Sequence, residues 1–170
     1  MWQLMAAMGE IAVYRRGPES LPDSSFLLGL LLVVDSLLQL GDLALFGSLS
    51  SIVLILLVTH TIFLFAFVFA LLMFFKVERR FRQTMSALLG VDIVVYLVFF
   101  PIALAGLALD MDLEVEPFIS VRVVLYIWWL AVAAMVLARS LSQPLILGFM
   151  FAILFFLTSL SITEQFAAID

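Results

Sequence analysis

Five runs of about twenty apolar residues follow one another in this chain, each long enough to cross a hydrocarbon core, and the basic residues are sorted around them. Arg15 and Arg16 precede the first run. Lys76, Arg79, Arg80 and Arg82 fill the gap between the second and third, and Arg139 closes the fourth. Five crossings leave only Arg122 on the other side. Short basic loops resist translocation, so the asymmetry reports insertion and orientation together. The expected fold class is all-α: a polytopic membrane helix bundle of five transmembrane helices with a short N-terminal interfacial amphipathic helix.

Composition excludes the soluble alternative. Of 170 residues, 66% are hydrophobic and 12% charged, with a mean hydropathy of +1.29. A small soluble domain leaves too much of its surface exposed to hide that apolar fraction. The net charge of −5 argues against a nucleic-acid partner. With no Cys there is no disulfide, no thiolate nucleophile and no Cys-based metal site. Neither a cleavable signal peptide nor a lipidation motif is expected: the start lacks a basic region, residue 2 is Trp, and the chain ends without Cys.

The chain divides as a single membrane domain over 1–170. Residues 1–25 hold the amphipathic helix, with Trp2 and Tyr14 as headgroup-level anchors, and a lead-in broken by Pro18 and Pro22. Asp23 or Ser24 is positioned to cap the next helix. Spans are expected at about 26–46, 52–75, 84–109, 121–138 and 145–162. A tight turn at 47–51 makes the first two spans antiparallel neighbours, and Pro101 lies within the third. Glu78 stands four residues before Arg82, as in a helical ion pair. The acidic stretch 110–117 alternates with apolar residues and belongs outside. A rival merges the last two spans into a re-entrant hairpin, although both reach crossing length.

Ionisable residues inside apolar spans are costly and should find partners or water. Asp35, Gln39 and Asp42, spaced i, i+4, i+7, share a face of the first span. His60 lies in the second span and Asp92 in the third. At ~1.5 Å per residue from the outer turn, Gln39 is ~10 Å deep and His60 ~12 Å, so Gln39 or Asp42 is expected within reach of His60. Three roles fit such a cluster: a proton or cation relay, polar glue between helices, or docking of a partner's helix. No metal-ligand spacing accompanies it, and neither a metal nor a cofactor is expected.

No enzymatic activity is expected. One His, no Cys, no Gly-x-Ser-x-Gly and no phosphate-binding Gly-rich loop leave little on which to build a nucleophile. The basic loop of Lys76, Arg79, Arg80 and Arg82 either sets topology or meets anionic lipid. Gly29, Gly90 and Gly106 offer points of close helix approach.

The order of features resembles the Yip-type (Ypt-interacting protein) membrane domain family. A proline-containing lead-in precedes a hairpin of two spans and a basic loop. Phe81-Arg82-Gln83-Thr84-Met85-Ser86-Ala87-Leu88-Leu89-Gly90 opens the next span. Ile127-Trp128-Trp129-Leu130 begins a helix closing in Leu137-Ala138-Arg139-Ser140, before a last apolar helix. The resemblance implies five membrane helices with a cytoplasmic N-terminus. Eukaryotic members bind small GTPases in vesicle traffic. The short loops here look more like bacterial members, so neither GTPase binding nor any functional residue is carried over.

The expected protein is a non-enzymatic accessory or scaffold subunit of a membrane complex in a bacterial inner membrane. Its N-terminus is cytoplasmic and its C-terminus periplasmic. Its partners are the lipid bilayer and another membrane protein or a second copy of itself. The alternative is a small proton- or cation-coupled transporter or channel component using Asp35, Asp42, His60 and Asp92.

Overall fold

The computed structural model describes residues 2–45, 50–109 and 116–167. The turn at 46–49, the acidic stretch at 110–115 and residues 168–170 lie outside them. Six α-helices follow in order: α1 (Trp2–Ala12), α2 (Ser25–Leu45), α3 (Ser51–Phe74), α4 (Phe81–Ala108), α5 (Glu116–Leu141) and α6 (Leu145–Ala167). Short 3-10 turns at Pro18–Ser20 and Glu78–Arg80 complete the chain path. Helices α2 to α6 are each long and apolar enough to cross a membrane. The protein is an all-α membrane helix bundle. Helix α5 is described from Glu116, ahead of the apolar run that marks it in the sequence, and includes Pro117.

Side chains close the starts of α2 and α3, and backbone geometry closes several ends. Ser24 Oγ accepts from the Leu27 amide at 3.2 Å, and Ser50 Oγ accepts from Val53 at the same distance, satisfying orphan N–H groups. Helices α1, α3 and α5 each end in paired bonds of the Schellman type. For α3 these run from Val77 N–H to Leu72 O (2.8 Å) and from Lys76 N–H to Met73 O (3.0 Å). The left-handed residue is Tyr14, Lys76 or Ser142, with φ of 64°, 57° and 54°. None is the glycine this position favours.

Helix α4 is the central strut, packing against α1, α2, α3 and α5. Every residue from Thr84 to Val91 is buried, as is α5 from Val132 to Ala138. Helices α5 and α6 approach most closely at Gly148, where an added Cβ would strike the Ala134 carbonyl and lie 2.8 Å from Ala138 Cβ. Ala134 and Ala138 on α5 face Gly148 and Ala152 on α6, a small-residue crossing of the kind membrane helices use to bring backbones together. Gly90 admits Met8, whose Cγ would lie 3.0 Å from an added Cβ, whereas Gly29 has nothing within 4 Å.

Two packing relationships differ from the sequence reading. Helix α1 docks its apolar side on the bundle: Ile11 and Ala12 are buried, and Trp128 Nε1 of α5 donates to the Ala12 carbonyl at 3.0 Å. The headgroup region is therefore not what covers that side. Helix α2 leans on α4 rather than on α3, and α3 packs against α4 and α6. A short connection makes neighbours the default but does not oblige them to pack. The end of the bundle carrying Arg80 and Arg139 is the basic end. From it, α4 runs out to Ala108, and α5 returns from Glu116.

Candidate functional site

Away from the basic end, α2, α4 and α5 bring polar side chains together inside otherwise apolar helices. Asp35 and Gln39 sit one helical turn apart on α2, and Gln39 Nε2 donates to Asp35 Oδ2 at 2.6 Å. One turn further, Asp42 forms an ion pair with Arg122 of α5 through Oδ2 and Nη2. The Arg122 guanidinium lies 5.0 Å above the Phe99 ring centroid, a cation–π arrangement that shields its other side with α4. Asp35 is only 2% exposed and Asp42 8%, so both carboxylates depend on protein groups rather than on bulk solvent.

Helix α4 adds Asp92 and Tyr96, and α5 adds Tyr126 and Trp129. Asp35 and Trp129 are polar neighbours of Asp92. A cavity of about 50 Å³ lies among Asp42, Asp92, Tyr96, Arg122, Tyr126 and Trp129. Val95, Phe99 and Leu125 complete its lining, and since one water needs only ~10–15 Å³ of such volume, there is room for water beside the polar groups. Asp35 Oδ1, Asp42 Oδ1 and Trp129 Nε1 are buried without a well-formed hydrogen bond. Of these residues Asp42 and Trp129 line the cavity and Asp35 does not.

His60 is placed elsewhere. Its ring meets Phe155 of α6 edge-on with centroids 5.5 Å apart, beside Phe63 and Phe67, which also pack on Phe155. The expected meeting of His60 with Gln39 or Asp42 does not occur, because α3 turns towards α6 while α2 turns towards α4. The imidazole is packed as a flat ring in an aromatic layer. Asp35, Gln39, Asp42 and Asp92 stay together, but their basic partner is Arg122. Sequence reasoning missed Arg122, Tyr96, Tyr126 and Trp129. The signal for Arg122 was its isolation on the acidic side, at about the depth of Asp42.

No group of three or more His, Cys, Asp or Glu able to hold a metal ion occurs among the described residues. The cluster's chemistry is that of hydrogen bonding, charge pairing and water.

The basic loop is divided in its work. Arg82 clasps Asp23 through Nε at 2.7 Å and Nη2 at 3.2 Å, and donates to Ser25 Oγ at 2.9 Å, fixing the start of α2. Glu78 is not its partner. Arg80 Nη1 donates to the carbonyls of Arg139 (3.3 Å) and Ser140 (2.9 Å), covering the last turn of α5. Lys76 and Arg79 are exposed. Comparison of the chain with protein-family models, with curated proteins and with solved structures finds no match in any of the three, so what the site does must be argued from its own chemistry.

Proposed function

We propose that this chain is a non-enzymatic scaffold or accessory subunit of a membrane complex, with its intramembrane polar cluster acting as an internal clasp between α2, α4 and α5. The observation that carries this reading is the Asp42–Arg122 pair. It spends the one basic side chain at that end of the bundle on holding two helices of this same chain together. A small cavity beside it, of about 50 Å³, suits a few ordered waters better than a through-going path. The outward faces of α3 and α6 are apolar, with Ile55, Val58, Ile62, Ile146, Met150 and Leu154 all exposed. Lipid, another membrane protein or a second copy covers them.

The membrane in this proposal is a bacterial inner membrane. The basic end and N-terminus face the cytoplasm and the C-terminus the periplasm, because basic loops are retained. Kinship with the Yip-type family is proposed for the architecture alone, supported by the order of spans and the position of the basic loop.

One observation favours a second reading, a proton- or cation-coupled pathway component. Asp35, Asp42 and Asp92 outnumber Arg122 in the cluster, and two of the acids keep a buried oxygen without a hydrogen bond. Reconstitution in liposomes loaded with pH- and cation-sensitive dyes separates the two. Under an imposed gradient the scaffold gives no protein-dependent flux. Flux abolished by Asp35→Asn would establish the pathway and remove the scaffold.

A further inference from the structure

A second cavity, of about 390 Å³, opens at the basic end between the Pro18–Ser20 turn, the start of α4 and the end of α5. Its lining, apart from Pro18, is polar or charged: Glu19, Gln83 and Thr84 with Arg80, Arg139, Ser140 and Ser142. That size is in the range of small-ligand sites, roughly 300–1,000 Å³. Thr84 Oγ1 lies 2.9 Å from the Arg80 carbonyl and 2.8 Å from Ser140 Oγ, and Gln83 Nε2 donates to the Leu21 carbonyl at 2.9 Å. The groups left for a ligand include the two arginines and Ser142.

Each is held and incompletely used. Arg80 anchors through Nη1 alone, to two α5 carbonyls and to Ser142 Oγ at 2.8 Å, so the rest of its planar fork has no bond within the described protein. That anchoring also covers the carbonyl end of α5, which would otherwise repel an anion. Ser142 accepts from Arg80, which leaves its own O–H to donate. It is the left-handed residue that closes the α5 cap, at φ 54°, which holds its side chain at the cavity rim. Arg139 has one acidic partner, Glu19, at 3.5 Å, with both side chains exposed. Such a pair holds weakly and exchanges readily. Gly17 makes room for it: an added Cβ there would lie 2.6 Å from Arg139 Cδ and strike the Glu19 carboxylate. Capping of α5 accounts for Arg80 Nη1. It does not account for Arg139.

We propose that this cavity binds the phosphoryl group of an anionic phosphate ester. Arg80 and Arg139 take its oxygens, Ser142 donates to it, and the Glu19 carboxylate is a resident stand-in that the ligand displaces. Two guanidinium groups against one carboxylate leave a surplus positive charge, and the planar forks match phosphate oxygens. The same chemistry is offered by a phospholipid headgroup and by a soluble phosphate ester.

The test uses the full chain in mild detergent. Binding of phosphatidylglycerol, phosphatidylcholine and glycerol 3-phosphate is measured by native mass spectrometry and ligand-dependent melting. Phosphatidylglycerol or glycerol 3-phosphate should bind in preference to phosphatidylcholine. Binding of the lipid alone identifies a headgroup site; comparable binding of glycerol 3-phosphate identifies a soluble ligand. Arg139→Gln should weaken binding roughly tenfold, as expected for one charge-assisted hydrogen bond. Glu19→Gln should tighten it several-fold, a gain that misfolding cannot imitate. Arg79→Gln, in the same loop but outside the cavity, should change little. The proposal is overturned if neither anionic ligand binds, if Glu19→Gln gives no gain, or if Arg79→Gln weakens binding as much as Arg139→Gln does.

Discussion

Arg122 reaches Asp42 across 80 positions of sequence and ties α5 to α2 inside the bundle. This is the basic residue that five crossings leave on the acidic side, ~25 Å along α5 from Arg139 at ~1.5 Å per residue. Its presence there does not oppose the charge asymmetry, because a paired and ring-covered guanidinium is no longer a free loop charge. The pair also lets Asp42 remain in an apolar helix.

Removing one partner should therefore cost more than removing both. Breaking a buried pair typically costs ~3–5 kcal/mol, and the low end is expected because Arg122 keeps 32% side-chain exposure. Arg122→Gln and Asp42→Asn should each lose stability in detergent unfolding. The double variant should recover at least half of the summed loss. Strictly additive losses would show that the pair does not couple α2 to α5.

The close approach at Gly148 predicts a steric effect that a bilayer cannot relieve. Gly148→Leu puts a side chain where the Ala134 carbonyl and Ala138 Cβ already stand. Overpacking of this kind costs ~1–3 kcal/mol and should part α5 from α6. Gly29→Leu is the matched control, since nothing lies within 4 Å of an added Cβ there. Equal melting temperatures for the two variants would rule out the tight crossing.

Lys76 closes α3 in the left-handed conformation at φ 57°, where a side chain costs roughly 1 kcal/mol and glycine none. Lys76→Gly should accordingly stabilise the protein by about that amount in thermal unfolding. A destabilised variant would mean that the lysine makes a contribution its exposed position does not explain.

The helices themselves were legible because hydrocarbon thickness sets their length and apolar composition marks them. Ser24 was legible as a cap from the Asp-Ser-Ser run after Pro22. Partner choice was not legible. The short turn after α2 made α3 its expected neighbour, yet α2 packs on α4, and no local signal distinguishes one apolar surface from another. His60 followed α3 into an aromatic layer for the same reason. The glycine that brings two helices together is Gly148, which sits in an apolar run as unmarked as the one around Gly29. Asp35, Gln39 and Asp42 announced a shared face through their spacing. What that face meets depends on tertiary packing of α4 and α5.

Asp35 is the residue whose substitution best separates a clasp from a pathway. It lies near the middle of α2, where a carboxylate costs ~2.5–3.5 kcal/mol on insertion scales and no interface is within easy reach. Its Oδ2 is held by Gln39, its Oδ1 has no hydrogen bond, and Asp92 is a polar neighbour. Asp35→Asn keeps a carbonyl oxygen that can accept from Gln39. Asp35→Leu removes the acceptor and leaves the half-buried Gln39 amide without it, at a cost of about 1 kcal/mol partly offset by added apolar contact. In a clasp, Asn should preserve folding and assembly, while Leu should loosen α2 from α4. In a proton pathway both should abolish flux, since neither side chain exchanges a proton as a carboxylate does. Flux measured in liposomes and assembly measured in detergent read the two outcomes separately. If both variants fold, assemble and behave as the parent does, Asp35 has neither role.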